Sequence, residues 1–250
     1  MSVASRDVGI ELTDVCVEVY PVSRASTWKQ VLLFQAGQRP EPVKIVNGAN
    51  LRIGPGERVG FVGRNGAGKT SLVKTICGIY PPASGTRTVR GRIAPVISTT
   101  LGFDYELGAI DNIALTYAHL DRFDEFDRDL ARKMVQFAEL EGRERIPLKK
   151  LSAGQQARIS FTTVLFMSSD ILVLDEVLTT GDASFLAKAE KAMFEKIEMT
   201  PIVLIVSHEL GRLRRLCTRC VWVEGGKIVG DGPADATIDL YEKANAEGRA

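Results

Sequence analysis

A mixed α/β domain with a parallel sheet at its centre is predicted by three observations. Short runs at 58–62 (RVGFV), 171–174 (ILVL) and 202–206 (IVLIV) are rich in β-branched residues and almost wholly apolar. Strands of that kind belong in a sheet covered on both faces. Longer segments of helical period separate them, and a glycine-rich turn follows the first run directly. With 250 residues the chain can bury a real core without disulfide or metal staples, and its length predicts one large domain or two small ones. An apolar fraction of 45% and a charged fraction of 25% exclude global disorder and a membrane-spanning bundle.

Taken in order, residues 1–11 lack an apolar signal core, so the chain is expected to stay in the cytoplasm. Residues 27–30 (TWKQ) have capping-box form, and Trp28, Val31, Leu32 and Gln35 would share one helical face. A core-packed helix, an extended strand and an exposed interaction helix all remain open there. Within 121–140, Phe126, Leu130, Met134, Phe137 and Leu140 recur every three or four residues and predict an amphipathic helix, part of a helical insertion at about 103–165. Residues 159–174 carry Ser160, Thr162, Thr163, Ser168, Ser169 and Asp170, too many polar groups for a membrane span of about 20 apolar residues. The pattern at 220–229, with Gly225 and Gly226 at its middle, reads as a hairpin, and the tail 245–250 is expected to fray.

Thirty-two Lys and Arg against thirty-one Asp and Glu leave a net charge of +1, so nothing drives the chain generally toward nucleic acid or anionic lipid. Cys16, Cys77, Cys217 and Cys220 read as reduced thiols. Cys217 and Cys220 have the spacing of a metal hairpin, but no second pair exists and His119 and His208 are the only histidines, which argues against zinc.

Gly63, Arg64, Asn65, Gly66, Ala67, Gly68, Lys69 and Thr70 match G-x-x-x-x-G-K-[ST], between a strand pattern and a helix pattern. Glycines there let successive N–H groups turn inward around phosphate oxygens, and the helix adds its positive end. Lys69 would reach the β- and γ-phosphates, and the Thr70 hydroxyl would ligate Mg²⁺. The strand at 171–174 delivers Asp175 and Glu176 at its carboxyl end, where ligands bind in open α/β sheets. Asp175 suits the Mg²⁺ shell and Glu176 the attacking water. His208 leaves the 202–206 strand through Ser207 and is placed to sense the γ-phosphate.

Leu151, Ser152, Ala153, Gly154, Gln155 and Gln156 lie just ahead of the carboxylate strand. That order of motifs resembles the ABC ATPase family, whose signature loop has the form L-S-x-G-Q. The resemblance runs over essentially the whole chain, with Gly181 and Asp182 at the family's D-loop and His208 at its switch histidine. It implies a P-loop NTPase core sheet with an antiparallel β subdomain and a helical signature subdomain, and ATP with Mg²⁺ as cofactors. It also implies ATP-binding roles for Tyr20, for the phosphate loop and for Ser71. Ser152, Ala153, Gly154 and Gln155 would act across a head-to-tail homodimer, because one chain carries one loop and one signature. Tyr20 would stack on adenine, with Trp28 the alternative aromatic and a core tyrosine the structural one.

Three weaker cues resemble the polysaccharide-exporter ATPases that serve O-antigen, capsule or teichoic acid. They are the long stretch 20–49, a coupling-like segment with Gly102, Phe103, Glu106, Leu107, Asp111, Asn112 and Ile113, and the ending 230–241 (GDGPADATIDLY). The resemblance implies an integral membrane permease as partner, peripheral location on the cytoplasmic face of the inner membrane, and no nucleic acid. An ABC module for nucleic acid or ribosomes, a nonhydrolysing regulatory subunit, and transport of another substrate are the rival readings. Two departures stand out. The loop after 93–96 carries Ile97, Ser98, Thr99 and Thr100 where the family usually has a glutamine, leaving Ser98 or Thr99 to substitute through a water. An ending at Ala250 leaves no room for a carbohydrate-binding domain, so substrate reading is expected to rest with the permease.

Overall fold

Alternation of buried and exposed side chains builds the first sheet. Strands β1 (Gly9–Val19) and β2 (Val43–Ile53) run antiparallel and bury Ile10, Leu12, Val15 and Val17 against Val46, Leu51 and Ile53. The computed structural model describes residues 7–20, 41–96, 102–175 and 183–247. The expected helix around Trp28, the loop 97–100, and Glu176, Gly181 and Asp182 lie outside the described residues. The chain divides into two compact units, Met1–Arg90 with Val206–Ala250, and Gly91–Ile205.

In the first unit, strand β4 (Ser84–Arg90) completes an antiparallel sheet of order β2-β1-β4. A register shift interrupts the β1–β2 pairing between Leu12 and Val15, where Asp14 takes a positive φ of 52°. Asn50 holds this bulge, accepting from the Asp14 N–H (3.0 Å) and donating to its carboxylate (3.2 Å). Strand β3 (Arg58–Val62) buries Val59, Phe61 and Val62 and runs parallel to β8 (Arg219–Glu224). Strand β9 (Lys227–Pro233) returns antiparallel through Gly225 and Gly226, whose φ values of 54° and 77° suit the two-residue hairpin turn read from sequence. Arg219 anchors that hairpin with paired bonds to Asp231 (2.6 Å each), one to Glu57 (2.7 Å) and one to the Arg52 carbonyl (2.9 Å). The last helix of this unit, Ala234–Ala246, takes in the first two residues of the tail expected to fray, and 248–250 lie outside the described residues.

The second unit carries strands β5 (Ile93–Val96), β6 (Ile171–Asp175) and β7 (Ile202–Val206) in that order, with β5 and β6 parallel. Its helical part packs Ala109, Ile113, Met134, Leu148 and Ile159 into one core. The single helix expected over 121–140 is corrected: only Arg128–Phe137 is α-helical. Asp121 sits at a φ of 54°, and Asp127 is extended, its carboxylate accepting from the Asp129 (3.2 Å) and Leu130 (3.3 Å) N–H groups. A side-chain cap of that kind starts a helix and cannot lie inside one. The helix ends at a left-handed Glu139 (φ 60°), with the Leu140 N–H bonded back to the Val135 carbonyl. Even so, Met134 and Leu140 are buried and Phe126 and Leu130 pack against the core, as the periodicity requires.

Both sheet types and the helical part match the α/β class read from sequence. All four cysteines are free thiols. Among the described residues no helix is long and apolar enough to cross a membrane.

Candidate functional site

The phosphate loop is built where a buried strand must stop abruptly. Val62 ends β3, and helix α1 (Lys69–Ile76) begins seven residues later in sequence, with Gly68 as its N-cap. Gly63, Gly66 and Gly68 hold φ values of 146°, 80° and 105°. Only glycine takes such values without strain, and the turn they make aims backbone N–H groups inward. Space is tight at two of the three. A β-carbon on Gly63 would stand 2.2 Å from the Val223 carbonyl oxygen, and one on Gly68 would stand 2.8 Å from that of Ile45. Over Gly66 nothing lies within 4 Å.

Lys69 is 5% exposed, and its ammonium donates to the carbonyls of Gly63 (2.7 Å) and Arg64 (3.0 Å). The cation is thus held against the loop it would serve. Arg64 and Asn65 are exposed at the tip, while Thr70 and Ser71 are half-buried in the first turn of α1. At the far end of α1, burial pushes the Cys77 thiol up to about 12, against the opposing charge of Arg87. A thiol so raised stays protonated at neutral pH.

Sequence reasoning saw Gly225 and Gly226 only as a hairpin turn. In the structure, the Gly226 N–H donates to the Ala67 carbonyl (2.8 Å), and the Asn47 N–H donates to the Gly226 carbonyl (2.8 Å). The hairpin turn therefore braces the phosphate loop from behind. No local signal marks such a contact, because the two partners are far apart in sequence.

Tyr20 follows the end of β1 and is 59% exposed, which removes the core-tyrosine alternative. His208 is exposed just after β7, while Ser207 is buried and its hydroxyl accepts from the Glu209 N–H (3.1 Å). The loop residues, Tyr20 and His208 all fall in the first unit.

Asp175 and the signature fall in the second unit. Asp175 ends β6 half-buried, after four buried residues. Ser152 caps the helix Ala153–Phe166 with a full capping box: its hydroxyl accepts from the Gln155 N–H (3.3 Å), and the Gln155 side chain accepts from the Ser152 N–H (3.1 Å). Ser152 and Ala153 are exposed, and a β-carbon on Gly154 would meet only the Ser152 hydroxyl, at 4.0 Å. This helix therefore presents an open, positively polarised end. Behind it, Arg158 pairs with Glu139 (2.6 Å) and lies over the Phe185 ring, 4.8 Å from its centroid.

Thr70 in the first unit and Asp175 in the second each carry an oxygen, the ligand type of Mg²⁺. Among the described residues no group of three or more His, Cys, Asp or Glu could by itself hold a metal ion.

A loop of this geometry is shared by many nucleotide-binding proteins; what narrows it is the match of residues 46–179 to the ABC transporter family model. The chain belongs to the ABC transporter family. Two relatives of this ABC chain are O-antigen export system ATP-binding proteins named RfbB. The one from Klebsiella pneumoniae is 33% identical over 197 residues, spanning 79% of this chain and 80% of its own. The one from Myxococcus xanthus is 32% identical over 201 residues, and the match spans 80% of this chain but 46% of that longer protein. Solved structures share the fold. An ATP-binding cassette dimer in a post-hydrolysis state with ADP and Pi aligns with a TM-score of 0.67 at 19% identity, over 90% of this chain and 98% of that one. An ATP-binding subunit of an ABC transporter aligns at 0.69 and 18% identity, over 93% of each chain.

Proposed function

We propose that this ABC ATPase is the ATP-hydrolysing subunit of an exporter for lipid-linked polysaccharide of the O-antigen, capsule or teichoic acid class. It works as a head-to-tail homodimer docked on a separate permease at the cytoplasmic face of the inner membrane. One observation carries the reading of the engine: the chain holds two open, phosphate-ready helix ends, one at the glycine loop before Lys69 and one capped by Ser152. The names of relatives 31–33% identical support the cargo class.

In this reading the single nucleotide-binding domain spans 1–250. Tyr20 stacks on adenine, and Gly63 through Ser71 wrap the phosphates, with Lys69 moving from the Gly63 and Arg64 carbonyls to the β- and γ-oxygens. Thr70 and Asp175 hold Mg²⁺, which when bound neutralises charge on the phosphates. Glu176 orients the attacking water, His208 senses the γ-phosphate, and Asp182 lies where the copies meet. Ser152, Ala153, Gly154 and Gln155 of one copy close on the γ-phosphate held by the other. ATP binding shuts the dimer and hydrolysis reopens it, and the segment 102–112 passes that motion to the permease.

The test is turnover and assembly. Lys69→Ala is expected to lose tight ATP binding, and Glu176→Gln to retain ATP and elute as a closed dimer without releasing phosphate. Wild-type turnover in Glu176→Gln would remove the water-activating role. Unchanged surface polysaccharide in a cell lacking the chain would remove the cargo assignment.

A further inference from the structure

We propose that Asn112 and Gln156 are positioning residues, which hold the amino end of the signature helix in register with the loop 104–108 and so set turnover without touching nucleotide. Asn112 is fully buried and spends its whole side chain on that loop. Its oxygen accepts from the Asp104 N–H (2.8 Å). Its amide donates to the carbonyls of Asp104 (2.9 Å), Leu107 (3.1 Å) and Gly108 (3.0 Å). With both donors and its acceptor engaged, no other side chain of that size could replace it at equal cost.

The loop is then tied to the signature by backbone bonds. Its Leu107 and Tyr105 carbonyls accept from the N–H groups of Leu148 (2.9 Å) and Lys149 (3.0 Å), in the short 3-10 turn Leu148–Lys150. That turn leads straight to Ser152. Gln156 closes the path from the other side: its amide donates to the carbonyls of Leu148 (2.8 Å) and Leu151 (3.1 Å). Leu148 and Leu151 are buried in the helical core, so both ends of the turn are fixed by packing as well as by Gln156. On the outside, Tyr105 and Leu107 are 39% and 36% exposed. A displacement of that exposed pair has a short hydrogen-bonded route to the cap at Ser152.

What position 156 must supply is a donor between two carbonyls. Gln156→Glu removes the donor and sets a carboxylate against both oxygens, whereas Gln156→Lys restores a donor of similar reach. The proposal rests on the signature acting on ATP, and one experiment separates the two. Steady-state turnover against ATP concentration is measured on the full chain for wild type, Ser152→Ala, Asn112→Asp, Gln156→Glu and Gln156→Lys. Binding of a fluorescent ATP analogue and thermal unfolding are followed alongside.

The expected result is a loss of kcat of about tenfold in Asn112→Asp and Gln156→Glu. Analogue affinity should stay within about twofold, since it reports the phosphate loop. Gln156→Lys should regain most of the rate. A fall in kcat that tracks lost analogue binding or lost thermal stability would mean general destabilisation and overturn the proposal, as would failure of Gln156→Lys to recover. Wild-type turnover in Gln156→Glu beside a crippled Ser152→Ala overturns positioning alone. Wild-type turnover in Ser152→Ala overturns the signature's role and the positioning with it.

Discussion

The carbonyl oxygen of Val223 stands 2.2 Å from where a β-carbon on Gly63 would sit. Two strands of the first unit thus meet at the mouth of the phosphate loop with no room for a methyl group. The loop's backbone is fixed by its neighbours as much as by its own glycines.

Gly63 and Gly66 are therefore expected to respond differently to alanine. At Gly66 the added methyl meets open space, and the cost is the positive φ of 80°, about 1–2 kcal/mol. At Gly63 the same class of strain adds to a collision with backbone, so Gly63→Ala should lose more stability and shift the loop enough to weaken ATP binding. Urea unfolding and nucleotide titration of the two variants check this. Equal behaviour would mean that the Val223 strand yields easily.

Acid stability should carry the mark of Glu125. Paired bonds from Arg122, joined by Ser168 and the charge of Arg92, hold its carboxyl at about 2, while partial burial opposes them. A folded-state value below the ordinary 4.5 means stability that is present above that pH and lost as pH falls from 4.5 toward about 2. Thermal midpoints of the wild type should drop more steeply through this window than those of Glu125→Gln. Parallel curves would assign the acid sensitivity to other carboxylates.

The cap at Asp127 is expected to matter for stability and not for nucleotide. Asp127→Ala frees the N–H groups of Asp129 and Leu130 and should cost about 1 kcal/mol, with Asp127→Asn costing less. The denaturation midpoint reads the loss. ATP affinity measured on the same samples should hold, since the phosphate loop lies in the other unit.

By itself the sequence determined the motifs and the elements that carry them. The strands at 58–62, 171–174 and 202–206 were legible because each is a nearly unbroken buried run, a pattern set by local composition. The loop from Gly63 to Lys69 was legible because phosphate binding needs glycines at fixed offsets. The segment 151–155 was legible through its resemblance to the signature form L-S-x-G-Q, while the capping box between Ser152 and Gln155 came from the structure. Tertiary structure alone decided what each of these leans on. Gly226 braces Ala67, Val223 closes on Gly63, and Gln156 joins the signature to the turn that the Asn112 loop holds. Periodicity also could not see that Asp121 and Asp127 break the 121–140 pattern, since a left-handed turn leaves the spacing of apolar residues intact. The physical reason is common to all of these. Propensity, capping and glycine freedom act over a few residues, whereas packing and backbone hydrogen bonds join partners that only the folded chain brings together.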